Sequence, residues 1–129
     1  MIYLVTGATS GIGKQIAEDL LKSGYEVILN YGNNDKQAKA VEKEFKSKNY
    51  NFSIYKADIS DEKQVKDMFA LVKSNYGRLN GLVNNAGTNI DEFVETCKLD
   101  NYMKVVKTNF IGKMLCSKYA IPLLKNQEN

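Results

Sequence analysis

The 129 residues carry 18 Lys+Arg against 15 Asp+Glu, a formal net charge of +3 and no His, with 43% hydrophobic and 26% charged residues, the proportions of a single globular domain. Without histidine there is no Ser-His-Asp triad, no Cys–His pair and no His-ligated metal, and two cysteines, Cys97 and Cys116, are too few for a structural zinc site, so no metal is expected. The small, scattered positive charge also argues against a nucleic-acid partner.

Met1 runs straight into the first predicted strand, Ile2–Thr6, with no basic segment or signal-type apolar stretch before it. Next comes the turn Thr6-Gly7-Ala8-Thr9-Ser10-Gly11-Ile12-Gly13. It opens a helical pattern in which Ile12, Ile16 and Leu20 fall four apart, with Gly13, Ala17 and Leu21 beside them. Glu26–Asn30 reads as the second strand, and Ala38, Val41 and Phe45 as the stripe of a second helix. Phe52–Ala57 is the third strand. Ser60, ahead of Asp61 and Glu62, is the expected N-cap of a third helix with stripe Val65, Met68, Phe69, Val72 and Tyr76. Gly81–Asn84 is the fourth strand. A long helix is predicted from about Leu99 to about Lys125 through Met103, Val106, Phe110 and Met114, with Pro122 near its end, and Asn126–Asn129 is polar and expected to fray. No apolar run approaches the roughly 18 residues of a membrane span. The expectation is a cytoplasmic protein with no membrane partner and both cysteines as reduced core thiols, a bridge between them staying open.

This βαβαβαβα order implies a parallel sheet with right-handed crossovers, an α/β sandwich in one domain over residues 1–129. The glycine turn lies where such a motif carries chemistry, between a strand and a helix. Gly7 lets the chain leave the strand tightly. Gly11 leaves space where a pyrophosphate could meet the backbone, and Gly13 allows close helix–strand packing. The N–H groups from Ser10 through Ile12 to Gly13, at the positive end of the helix dipole, suit an anion. A glycine-rich turn with no ligand is the plainer alternative.

The spacing Gly-x3-Gly-x-Gly is neither Gly-x-Gly-x-x-Gly nor a Walker A loop. Thr-Gly-x3-Gly-x-Gly resembles the short-chain dehydrogenase/reductase family, in its compact single-domain branch. Asn84-Asn85-Ala86-Gly87 is similar to the family's Asn-Asn-Ala-Gly beside the cofactor, Ala57-Asp58-Ile59 to its adenine-holding segment, Thr108-Asn109-Phe110 to its helix-embedded Asn, and Ala120-Ile121-Pro122 to its late helix pattern. Taken alone, Asp58 could be only a turn residue and Asn109 only a solvent-facing one. The resemblance implies a Rossmann-type doubly wound sheet and a nicotinamide cofactor held by Gly7, Ser10, Gly11, Ile12, Gly13, Asn30, Tyr31, Asn33, Asp58, Ile59, Asn85, Ala86 and Gly87. It makes Asn109 a catalytic residue that holds a water.

The family's chemistry also implies a Ser and a Tyr-x3-Lys. None of the eight tyrosines here has Lys four residues later. The expectation is truncation: a cofactor-binding half ending just before the fifth strand, inactive alone, of an oxidoreductase acting on a small carbonyl or alcohol substrate. Asn30-Tyr31 and the Asn-rich turn after it resemble the 3-oxoacyl-carrier-protein reductase group. A non-catalytic dinucleotide-binding module is the alternative, and a methyltransferase would not need Asn84-Asn85-Ala86-Gly87. NADP(H) is expected over NAD(H), because no acid follows the second strand until Asp35. Amides of Asn30 and Asn33, or Lys36, would then meet a 2′-phosphate. The family's strand order 3-2-1-4 would leave the fourth strand an edge, and the long helix lies where the family forms dimers, so a homo-oligomer (dimer or tetramer) is expected.

Overall fold

The chain alternates strand and helix from its first residues: β1 (Ile2–Val5), α1 (Gly11–Lys22), β2 (Glu26–Tyr31), α2 (Asp35–Ser47), β3 (Phe52–Lys56), α3 (Glu62–Tyr76) and β4 (Gly81–Val83). After an irregular stretch come α4 (Leu99–Val106), a π-helical segment (Lys107–Gly112) and α5 (Lys113–Leu124). These assignments come from a computed structural model, which describes residues 1–124. The frayed end expected at Asn126–Asn129 lies outside the described residues.

Each strand is followed by a helix, so neighbouring strands must run parallel. The sheet order is β3-β2-β1-β4, all pairs parallel, the order that the resemblance implied. Alternation along β1 and β2 separates the two faces. Leu4 and Ile28 pack with α3 and α5 through Val65, Phe69, Val72, Cys116 and Ala120. Val5, Val27 and Leu29 pack with α1 and α2 through Ala17, Leu21, Val41 and Phe45. All strands release their carboxyl ends at one edge of this sandwich, where open α/β sheets place ligands.

Strand bounds differ from the expected ones by a residue, since each end depends on one marginal hydrogen bond. Four further expectations need correction. Ile12 is not a core residue: it lies in the first turn of α1, beyond the sheet, and is 75% exposed. The sheet-facing line of α1 is Gly13, Ala17 and Leu21. Ser60 does not cap α3. Asp61 does, accepting the Gln64 N–H at 3.2 Å, a carboxylate being the stronger acceptor. Cys97 is not a core thiol, because it falls in the irregular stretch before α4, although both cysteines are free.

The long helix is continuous in direction. α4 buries no residue, so the apolar stripe from Met103 already faces outward before the π-helical segment begins. Met103, Val106, Phe110 and Met114 are exposed, while Cys116, Ala120 and Leu123 face inward. Gly112 lets the segment approach the end of β3. A Cβ there would stand 2.8 Å from Ile59 Cγ1 and 2.9 Å from Ile59 O.

Candidate functional site

A cleft of about 840 Å3 crosses the carboxyl ends of the strands. Thr6, fully buried, ties its floor together. Its Oγ1 accepts the N–H groups of Asn85 and Ala86, each at 3.0 Å. In return Asn85 Nδ2 donates to the carbonyls of Thr6 at 3.0 Å and Gly7 at 3.2 Å. The glycine turn and the segment after β4 are therefore one unit. Asn84 turns away from it, donating to Ser117 Oγ at 3.0 Å. Gly7 has φ +63° and Gly11 φ +49°, a conformation that side chains disfavour.

The start of α1 is electrostatically uncompensated. Its first N–H groups have no intrahelical partner, as in any helix. At α2 and α3 the side chains of Asn34 and Asp61 accept from such groups, and Asp35 and Glu62 place an acid in the first turn. At α1 the Ser10 side chain makes no capping bond and the first turn holds no acid. With nothing within 4 Å of the Cβ position of Gly11, the positive helix end opens onto empty space in the cleft, which suits a phosphate group.

At the β2 end Tyr31, Gly32, Asn33 and Asn34 line the cleft. Asn30 also lines it. It is 1% exposed, and its Nδ2 donates to Ala57 O at 3.0 Å while its own carbonyl accepts from Ala8 N at 2.9 Å. Its side chain braces β2 to β3, and its backbone carbonyl ties β2 to the glycine turn. Asp35, the first acid after β2, accepts from Tyr31 Oη at 3.0 Å and pairs with Lys56 Nζ at 2.9 Å. The Lys56 hydrogen bond, then that of Tyr31, holds its carboxyl below the usual aspartate range. Burial first, and then Asp35, pushes the Tyr31 hydroxyl up. Asp58 and Ile59 lie on the third side. Asp58 Oδ1 accepts from Ser60 N at 2.9 Å and Ser60 Oγ at 2.7 Å, forming a turn that still leaves acceptor capacity on the carboxylate.

The expected cofactor residues thus surround one cleft, except Gly13, which lies behind it against Gly7 and Asn85. Asn109 also stands outside. Its Oδ1 accepts from Thr88 N at 2.7 Å and its Nδ2 donates to Thr88 O at 2.8 Å. Both amide atoms thus bond the Thr88 backbone. The side chain pins the segment after Gly87 to the long helix. Asn109→Ala should cost about 1 kcal/mol of local stability and speed amide exchange at Thr88 roughly fivefold. Unchanged exchange there would remove this pinning role. Sequence reasoning missed Thr88, Ile90, Lys104, Lys107 and Thr108, which complete the lining. The lysines' spacing of three was visible, but not the face of the helix they occupy.

Comparison with known proteins places this geometry in context. The family model described as short chain dehydrogenase matches residues 1–129. The chain is 37% identical over 126 residues to the 3-oxoacyl-[acyl-carrier-protein] reductase FabG of Staphylococcus aureus, covering 98% of this chain and 51% of the relative. It is 35% identical over 126 residues to the protein of that name from Staphylococcus epidermidis, covering 98% and 52%. It is 30% identical over 128 residues to the 3-oxoacyl-[acyl-carrier-protein] reductase of Synechocystis, covering 99% and 52%. The chain spans about half the length of these curated relatives.

Proposed function

The chain belongs to the short chain dehydrogenase family of oxidoreductases, and from that premise we propose that it forms the dinucleotide-binding part of an NAD(P)-dependent carbonyl reductase. The observation that carries this reading is the uncapped, acid-free start of α1 beside the open position at Gly11. When bound, the nicotinamide supplies or accepts the hydride. The chain's own residues bind and orient. Backbone N–H groups of the Ser10–Gly13 turn hold the diphosphate, Asp58 accepts from the adenine amino group, and Ala86 and Gly87 bring backbone close to the ribose. The relatives' names support a 3-oxoacyl thioester on acyl carrier protein as substrate, and a homo-oligomeric cytoplasmic enzyme is the setting proposed for it.

Proton transfer to the carbonyl oxygen falls to a Tyr whose pKa a nearby Lys lowers, and no Tyr-x3-Lys occurs in these 129 residues. We therefore assign the 129-residue chain binding without turnover. The second reading, a binding module with no chemistry, is favoured by that same absence. Assaying the protein of the complete reading frame with a 3-oxoacyl thioester separates the two: NADPH oxidation supports the reductase, and dinucleotide binding without oxidation supports the module.

NADP(H) is the proposed cofactor. A carboxylate at the end of β2 would hold the ribose hydroxyls of NAD, but the nearest acid, Asp35, is neutralised by Lys56 and held by Tyr31. A 2′-phosphate would meet no free negative charge, and Asn33, which lines the cleft, and Lys36 are the polar partners proposed for it. Steady-state kinetics should give a higher kcat/KM with NADPH than with NADH; the reverse order would overturn the preference.

A further inference from the structure

Two lysines of the long helix, Lys104 and Lys107, line the cleft. Their spacing of three puts them on one face of the helix. Among the described residues neither makes an ion pair, whereas Lys14, Lys48, Lys56, Lys63 and Lys118 each meet a carboxylate. Two like charges so placed repel by a few tenths of a kcal/mol. The helix dipole does not explain them, since helical backbone continues through Lys107 into the π-helical segment. The one carboxylate among the described lining residues is Asp58, and no ion pair joins it to either lysine.

α1 and the long helix belong to opposite faces of the sheet. α1 packs with Val5 and Leu29, whereas α5, which continues α4, packs with Leu4 and Ile28. Lys104 and Lys107 line the same cleft as the Ser10–Ile12 turn at the start of α1. We propose that Lys104 and Lys107 are binding residues that hold the diphosphate of the dinucleotide from the side opposite α1. This rests on the dinucleotide reading above. It assigns the lysines to the phosphates common to NAD and NADP, not to the 2′-phosphate.

The test is calorimetry on the protein of the complete reading frame with NADH, NADPH and adenosine. Lys104→Gln/Lys107→Gln should weaken NADH and NADPH by a similar factor, roughly tenfold at low salt. The loss should shrink as salt is raised, and adenosine should bind unchanged. Lys104→Arg/Lys107→Arg should retain most of the affinity. Both lysines are exposed, so the melting temperature should hold. Unchanged affinity for both dinucleotides would overturn the proposal, as would a loss confined to NADPH, which would place the lysines on the 2′-phosphate. Wild-type protein that binds neither dinucleotide would instead remove the reading beneath it.

Discussion

Gly13→Val is expected to prevent stable folding, while Gly11→Val leaves a folded chain that no longer binds dinucleotide. The two glycines stand two residues apart in one motif, and their surroundings separate them. A Cβ on Gly13 would stand 2.2 Å from Gly7 O and 2.3 Å from Asn85 Nδ2. Gly7 O is backbone in a tight turn, and Asn85 Nδ2 is held by two carbonyls, so neither can give way without breaking the unit built on Thr6. Overpacking of this kind costs at least about 3 kcal/mol, a large share of the roughly 5–15 kcal/mol that holds a small domain. At Gly11 nothing lies within 4 Å. Its only folding penalty is the positive φ of +49°, about 1–2 kcal/mol for a side chain in that region. The added atoms then occupy the space left for phosphate. Gly11→Asn is the milder control, since Asn tolerates positive φ but fills the same space. Thermal melts should rank wild type, Gly11→Asn, Gly11→Val and then Gly13→Val. Calorimetry should find no dinucleotide binding by either Gly11 variant. A Gly13→Val chain melting like wild type, or tight binding by Gly11→Val, would show that these roles are misassigned.

Legibility in the sequence followed the range of the interaction involved. Strands and the helices α1 to α3 were readable because periodicity and turn chemistry are local, and parallel order followed from their alternation. The glycine turn was readable because its three glycines answer to distinct backbone needs. The bracing bonds of Asn30 were not legible because its partners, Ala57 and Ala8, are brought to it only by strand pairing and the crossover. Asp61 displaced Ser60 as cap because Asp58 takes both the Ser60 N–H and its hydroxyl, a local competition that identity alone does not rank. The π-helical segment had no readable signal. It lies where Gly112 closely approaches Ile59, a contact between residues far apart in sequence. Lys104 and Lys107 could be assigned to the cleft only once that helix had been placed.

The exposed apolar face of the long helix underlies the expectation that the 129-residue chain self-associates at micromolar concentration. Phe110 and Met114 are 61% and 56% exposed, with Met103, Val106 and Ile121 exposed beside them on the helix line. At roughly 25 cal/mol per Å2, a few hundred Å2 of such surface represents several kcal/mol, comparable with the whole net stability of a small domain. The sheet adds a second incentive. Among the described residues β4 pairs only with β1, and its outer edge has no partner strand. Asn84 Oδ1, just beyond β4, is buried without a donor among those residues. An unpaired edge next to an apolar helix face is a template for another chain. Light scattering on the purified 129 residues should find dimers or larger species, and Phe110→Glu/Met114→Glu should shift them toward monomer by at least tenfold in dissociation constant, about 1.4 kcal/mol. Because both side chains are exposed, the substitutions should leave far-UV circular dichroism unchanged. A wild-type chain that stays monomeric and melts in one sharp cooperative transition would show that the four-strand sheet is self-sufficient and that this face needs no cover.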